Sequence, residues 1–219
     1  MMLVPGHPAA PLARLLPSIV TSTATGPGTT MILTTGSVAG SEVAPLLVDG
    51  RRRGNVRVLV VGSLGVHPDA VSPRLRELWA LEEACRASGL PVMVLRLAPL
   101  LGVSSPLWQR LRSRPALGRH ARVLLCPLVE ADAALAIERA TALEWSSPEW
   151  YEVAGSEIWS LEELSHLAGG TGERLVAGAG AWEPALDEIA EARIPDPSAW
   201  RERFTLTPAS VGQLAGSWS

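Results

Sequence analysis

The sequence predicts a single α/β domain, a parallel sheet with helices on both faces and a small C-terminal cap. Three observations predict it. Apolar runs such as 56–61 and 91–97 lack period-two alternation, which marks strands covered on both faces. Segments with helical spacing and cap signals alternate with these runs through the middle of the chain. The composition, 47% hydrophobic over 219 residues, suffices for one sizeable core.

The elements follow in order. Leu3-Val4 reads as the end of a short strand, and 9–16 as a helical turn or two stopped by Pro17. Residues 19–25 are β-branched and read as a strand, and Gly26-Pro27-Gly28 as a turn. Met31 to Leu33 form a buried strand that leads to the loop at Thr35. Ser41 caps a helix over about 42–53, with Val43, Leu46 and Leu47 inward. Arg51, Arg52 and Arg53 sit in its last turn, where cations complement the negative helix end; this reading is preferred to a phosphate site.

After the strand at 56–61, Ser72-Pro73 is a strong helix start, a cap hydroxyl followed by proline at the first helical position. That helix runs to about Ser88, with Leu75, Leu78, Trp79 and Cys85 as its apolar stripe and Gly89 as its stop. A strand at 91–97 comes next. Residues 103–120 form a helix and loop, 123–125 a short strand, 131–143 an alanine-rich helix and 151–153 a strand. Ser160-Leu161-Glu162-Glu163 is a capping box that opens another helix. Residues 1–170 are expected to form the α/β domain, and 171–219 a cap or tail packed on it.

Charge and composition exclude several roles. The net charge of −3 does not suit nucleic acid or an anionic membrane. No run of about 18 apolar residues exists to span a bilayer. The N-terminus lacks a basic region ahead of its apolar residues, so the cytoplasm is the expected location. Every basic side chain other than histidine is arginine, so no lysine amine is available to chemistry. Cys85 and Cys126 have no metal spacing and read as buried thiols. No metal is expected.

Four segments together resemble the atypical short-chain dehydrogenases/reductases, particularly the NmrA-like and sugar-epimerase-like branch, which has a Rossmann fold. Val60-Val61-Gly62-Ser63-Leu64-Gly65-Val66 is similar to the family's strand and serine-bearing loop. The helix from Ser72-Pro73-Arg74, with Glu82-Glu83 and Ala87-Ser88-Gly89-Leu90-Pro91, follows in the family's order. Val94-Leu95-Arg96-Leu97-Ala98-Pro99-Leu100-Leu101-Gly102 is similar to its Arg-Pro…Gly strand and loop. The stretch from Pro127 to Asp132, then Tyr151 to Gly155, then the Ser160 box, resembles its late elements.

Departures from the family decide the functional expectation. The resemblance implies a tyrosine and, four residues on, a lysine that lowers the phenol pKa; the matching positions hold Arg74 and Leu78. Tyr151 is the chain's single tyrosine and reads as a core residue of a late strand. The family's glycine-rich dinucleotide loop is matched best by Gly6, Ala9 and Leu12, where Pro8 and Pro11 remove amides. The N-terminal, adenine-binding half of the sheet therefore reads as truncated. From this we expect no cofactor. NAD(P)H use with an altered site ranks as a lower alternative.

The first functional expectation is a cofactor-independent enzyme that cyclises, isomerises or dehydrates a small organic substrate. His67 would be general base, and Ser63 and Arg74 would polarise a carbonyl, with Glu130 beside them. Thr35, Asp69, Leu97, Leu100 and Trp108 would complete the pocket. Each has a plainer reading: His67-Pro68-Asp69 as a surface turn, Ser63 as a cap, Arg74 as solvated, Glu130 as ion-paired and Trp79 as core. The second expectation is a non-catalytic ligand-binding or scaffold protein. A homodimer is expected in either case, using an exposed sheet edge or Trp182, Trp200 and Trp218. Packing of the tail on its own core explains those tryptophans equally well.

Overall fold

Val58, Leu59 and Val60 have no exposed surface, because the strand that carries them lies at the centre of a five-stranded parallel sheet. The computed structural model describes residues 2–3, 29–34, 40–52, 55–113, 117–145, 147–169, 189–191 and 194–218. The sheet contains β1 (Met2–Leu3), β2 (Thr29–Thr34), β3 (Asn55–Ser63), β4 (Val92–Leu97) and β8 (Glu149–Val153), side by side in that order. Each neighbouring pair is parallel. Among the described residues β1 and β8 are its edges. The expected elements at 9–16, 19–25 and 26–28 lie outside the described residues, as do Thr35, Gly6, Ala9 and Leu12.

Alternate residues of the strands point to opposite layers. Val58, Val60, Val92 and Val94 pack with Val43 and Leu47 of α1 (Gly40–Arg52) and with Leu81 and Cys85 of α2 (Pro73–Ala87). Leu59, Val61, Met93 and Leu95 pack with Ala133, Ala136 and Ile137 of α4 (Glu130–Ala142), and with Trp200 and Phe204. The runs lack alternation because both faces are covered. Arg57 points to the second face and its guanidinium caps the end of α4, donating to Leu143 O at 2.7 Å and Thr141 O at 3.3 Å.

The local signals behave as expected, with small shifts. Ser72 Oγ accepts from Leu75 N, with Pro73 in the first turn of α2. Gly89 ends that helix at φ +70°, a conformation that costs glycine little. α1 opens at Gly40, so Ser41 lies inside it rather than capping it. The capping box at Ser160 and Glu163 is formed at α5 (Leu161–Leu167).

Beyond the sheet's carboxyl edge a second cluster is built. It gathers α3 (Pro106–Arg112), α5 and α7 (Val211–Leu214), joined by β5 (Leu100–Leu101), β6 (Leu124–Leu125), β7 (Leu128–Val129) and β9 (Trp159–Ser160). Trp218 packs edge-on against Trp108, ring centroids 5.0 Å apart. Trp200, on α6 (Ser198–Phe204), sits 1% exposed in the sheet's core. Trp200 and Trp218 therefore serve the chain's own interior. No described helix is long and apolar enough to cross a membrane.

Two contacts tie the tail and late loops down, and both are testable. A side chain at Gly155 would run into the carbonyl oxygen of Pro127. Gly155→Ala should cost about 1–3 kcal/mol, a fall in Tm of several degrees by calorimetry. Burial raises the Glu157 carboxyl, but hydrogen bonds from Ser210 Oγ, Gly212 N, Trp159 Nε1 and Val211 N outweigh it and hold the group below its ordinary 4.5. Its stabilisation is present above that ordinary value and is lost as pH falls through the depressed one. Glu157→Gln should lower the urea midpoint at pH 7, and the gap to wild type should narrow as the pH falls through the depressed value.

Candidate functional site

Arg96 is the one charged residue on β4, and it is nine-tenths buried. It faces α2, on the same side as Val92 and Val94. Glu82, 1% exposed, meets it from the stripe that also carries Leu75, Leu78 and Cys85. Arg96 Nε donates to Glu82 Oε1 at 3.1 Å and Nη2 to Oε2 at 2.7 Å. Arg86, one turn on, also donates to Glu82 Oε2 and to Glu83. The Arg96 guanidinium lies 5.6 Å from the Trp79 ring centroid and 5.3 Å from that of Trp150, so aromatic faces hold it on both flanks.

Burial raises the Cys85 thiol to about 12, with Glu82 adding to the rise and Arg86 opposing it. The thiolate is thus kept from forming and Cys85 is inert. Cys126 is likewise buried and raised by burial.

A cleft of 480 Å³ opens above this pair, on the α2 side of the sheet near its carboxyl edge. Its size falls in the usual range for small-molecule sites, about 300–1,000 Å³. The lining comprises the loop after β3 (Leu64 to His67, Asp69 and Ala70), Arg96 and Glu152 from adjacent strands, and Ala190 and Glu191 from the tail. Arg96 and Glu152 are register partners and so share a face. Glu191 fastens the tail to the start of α2: its Oε2 accepts from Val71 N and its Oε1 from Ser72 N, both at 2.8 Å. No acidic residue stands in the first turn of α2, so Glu191 supplies the negative charge that end favours.

The expected site residues scatter. His67 and Asp69 line the cleft. Ser63 ends β3 one residue before the lining begins at Leu64. Arg74 is exposed on the first turn of α2, and Leu78 is buried. Glu130 is buried elsewhere: it opens α4, lies against Gly102, and both its oxygens accept from Ser104 Oγ at 3.0 and 2.9 Å. Trp108, 2% exposed, is an interior residue of the second cluster and not a pocket wall. Leu97 is buried and Leu100 half-buried against the core. Tyr151 packs on Phe204 and donates to Glu149. Burial and the Glu149 carboxylate raise its pKa, the opposite of what a proton donor near neutrality needs.

His67 is held in a particular state. Its Nδ1 accepts from Asp69 N at 3.2 Å, so the neutral ring carries its proton on Nε2. In that tautomer Nε2–H is offered as a donor. Asp69 Oδ2 lies 3.7 Å from Nδ1.

Arg96, Glu82, Glu152 and Glu191 were not among the expected site residues. Two signals pointed to the pair: a charge in a strand buried on both faces, and a glutamate at a stripe position of the following helix. Nothing local marks Glu152 or Glu191.

The sequence matches no protein-family model and no curated protein. Solved structures do resemble it in three dimensions. A triphenylmethane reductase from Citrobacter sp., complexed with NADP(H), aligns at TM-score 0.69 and 14% identity, over 90% of this chain and 78% of its own. MoeE5, in complex with UDP-glucuronic acid and NAD, aligns at 0.65 and 16%, over 85% and 78%. The dTDP-glucose 4,6-dehydratase of Bacillus anthracis, in complex with NAD, aligns at 0.62 and 13%, over 86% and 72%. The chain shares the Rossmann-type α/β fold of these proteins. These structures overturn the expectation that there is no cofactor: the proteins sharing the fold carry NAD or NADP(H), and the fold points to a nucleotide cofactor.

The described residues fit one end of such a cofactor. The cleft is unsuited to a pyrophosphate, because Arg96 is shared with Glu82 and the amides just ahead of α2 are taken by Glu191. Its β3 side suits the uncharged end, since Asp69 can accept from ribose hydroxyls and a carboxamide. In a Rossmann fold the phosphates lie at the loop after the first strand. Here that loop follows Leu3 and is outside the described residues.

The buried pair yields a prediction. Glu82→Ala leaves Arg96 charged and unpaired, and should cost about 3–5 kcal/mol by urea unfolding. The double variant Glu82→Leu/Arg96→Met should recover most of that loss.

Proposed function

We propose that this chain is an NAD(P)-dependent enzyme of small-molecule metabolism that acts at a carbonyl or carbinol carbon of an organic substrate. The observation that carries the reading is the cleft at the carboxyl edge of β3, β4 and β8, with His67, Arg96 and Glu152 on one lining. The neighbouring folds belong to a reductase, a dehydratase and epimerases, and two of those three reaction types involve no net redox change. A net-neutral epimerisation, isomerisation or dehydration is the preferred class. A bound nicotinamide supplies reversible hydride transfer.

The protein's own contribution is orientation and polarisation. Asp69 would hold the nicotinamide ribose and carboxamide on the β3 side. His67 takes over the part for which α2 has no tyrosine: its Nε2–H would donate to the substrate oxygen, with Asp69 N–H on Nδ1 orienting the ring. A second reading, ligand sensing without turnover, is favoured by the buried Leu78 at the lysine position.

The test begins with NADH and NADPH titrations, followed by nicotinamide fluorescence excited through the tryptophans. Saturable binding of either is expected, and His67→Ala should keep it. If a substrate is found among hydroxy and carbonyl compounds, the same variant should lose about 10²-fold or more in kcat. Failure of both nucleotides to bind would discard the enzyme reading. Binding without hydride transfer to any substrate would favour the sensor.

A further inference from the structure

We propose that Arg96 and Glu152 form a recognition pair for an uncharged hydroxy-carbonyl group, an assignment that rests on the substrate-cleft reading above. Arg96 commits Nε and Nη2 to Glu82. A guanidinium has five N–H bonds in a fixed plane, so Nη1 keeps two that Glu82 does not use. Arg96 lines the cleft and Glu82 does not, so the wall offers the guanidinium's remaining edge. Trp79 and Trp150 on its flanks, with the two bonds to Glu82, prevent it from swinging away.

Glu152 is the neighbour of Arg96 across the β4–β8 pair, on the same face, and it also lines the cleft. Among the described residues the ion-pair partner of Arg96 is Glu82. A donor edge and a carboxylate acceptor therefore stand side by side on one wall, each with capacity to spare. Together they match a group that has an acceptor oxygen next to a donor hydroxyl.

Charge narrows the class. Asp69, Glu152 and Glu191 all line the cleft, and the charge of Arg96 is offset by Glu82. A ligand carboxylate or phosphate would meet net repulsion there. A ligand ammonium would be drawn to Glu152 but would sit against a guanidinium. A neutral α-hydroxyketone satisfies both groups and meets neither penalty: its carbonyl accepts from Arg96 Nη1, and its hydroxyl donates to Glu152. No covalent step is implied by this contact.

Hydroxyacetone is the probe, with acetone (acceptor only), ethylene glycol (no carbonyl) and acetate (charged) as controls. The readout is the guanidinium resonance of Arg96 and the indole resonances of Trp79 and Trp150 in ¹⁵N-labelled protein. Hydroxyacetone should move all three at about tenfold lower concentration than acetone or ethylene glycol. Acetate should be weaker than hydroxyacetone. Glu152→Gln is near-isosteric and leaves the buried pair intact; it should bring hydroxyacetone down to the level of acetone.

An unmoved Arg96 signal would overturn the proposal. So would equal responses to hydroxyacetone and acetone, or a Glu152→Gln response equal to wild type. NADPH and NADH binding, measured on the same samples, separates the two readings. Nucleotide binding without a hydroxyacetone response discards the pair alone. A hydroxyacetone response without nucleotide binding discards the enzyme reading and leaves the pair.

Discussion

Placing an arginine in a strand that is otherwise valine, methionine and leucine is costly unless a carboxylate is buried with it. In β4 that arginine is Arg96, and Glu82 is the carboxylate. Their two-point contact sets both the depth and the rotation of α2 against the sheet. With α2 placed, Leu75 and Leu78 seat Val66 and Ala70, which shape the loop after β3. Glu191 then clamps the tail to the amides ahead of α2. Three walls of the cleft thus descend from one ion pair, and its fourth is the edge strand β8.

The same constraint governs what the cleft can bind. Its buried cation is already compensated, and the helix end that attracts anions is already occupied by Glu191. What remains is a wall of hydrogen-bonding groups with a surplus of carboxylate. This favours neutral ligands with hydroxyl groups and disfavours phosphate. α2 presents a solvent-exposed Arg74 and a buried Leu78, and the titratable groups of the cleft lining come from the β3 loop, β4, β8 and the tail.

Legibility in the sequence followed the range of the interactions. Ser72-Pro73, Gly89 and Ser160 with Glu163 are caps and stops whose partners lie within a few residues, and the structure has them in place. The apolar runs of β3 and β4 reported burial on both faces. Glu130 and Trp108 read as pocket residues because they follow strands in a family-like order. In fact, past Leu97 the chain leaves the main sheet and builds a second cluster from two-residue strands and short helices, which carry almost no periodicity. Glu130 closes on Gly102 and Ser104 there, and Trp108 on Trp218.

By itself the sequence determined the α/β class, the parallel order implied by alternating buried runs and helices, most helix starts, and the absence of any lysine. Those properties depend on backbone geometry and on residue chemistry at single positions. Only the tertiary structure decided that Arg96 and Glu82 bind each other, that Arg96 and Glu152 share a wall, and that Glu191 reaches α2 from 119 residues away. Such partners are chosen by strand register and helix placement, and these are settled when the whole core packs, not by any local run of residues.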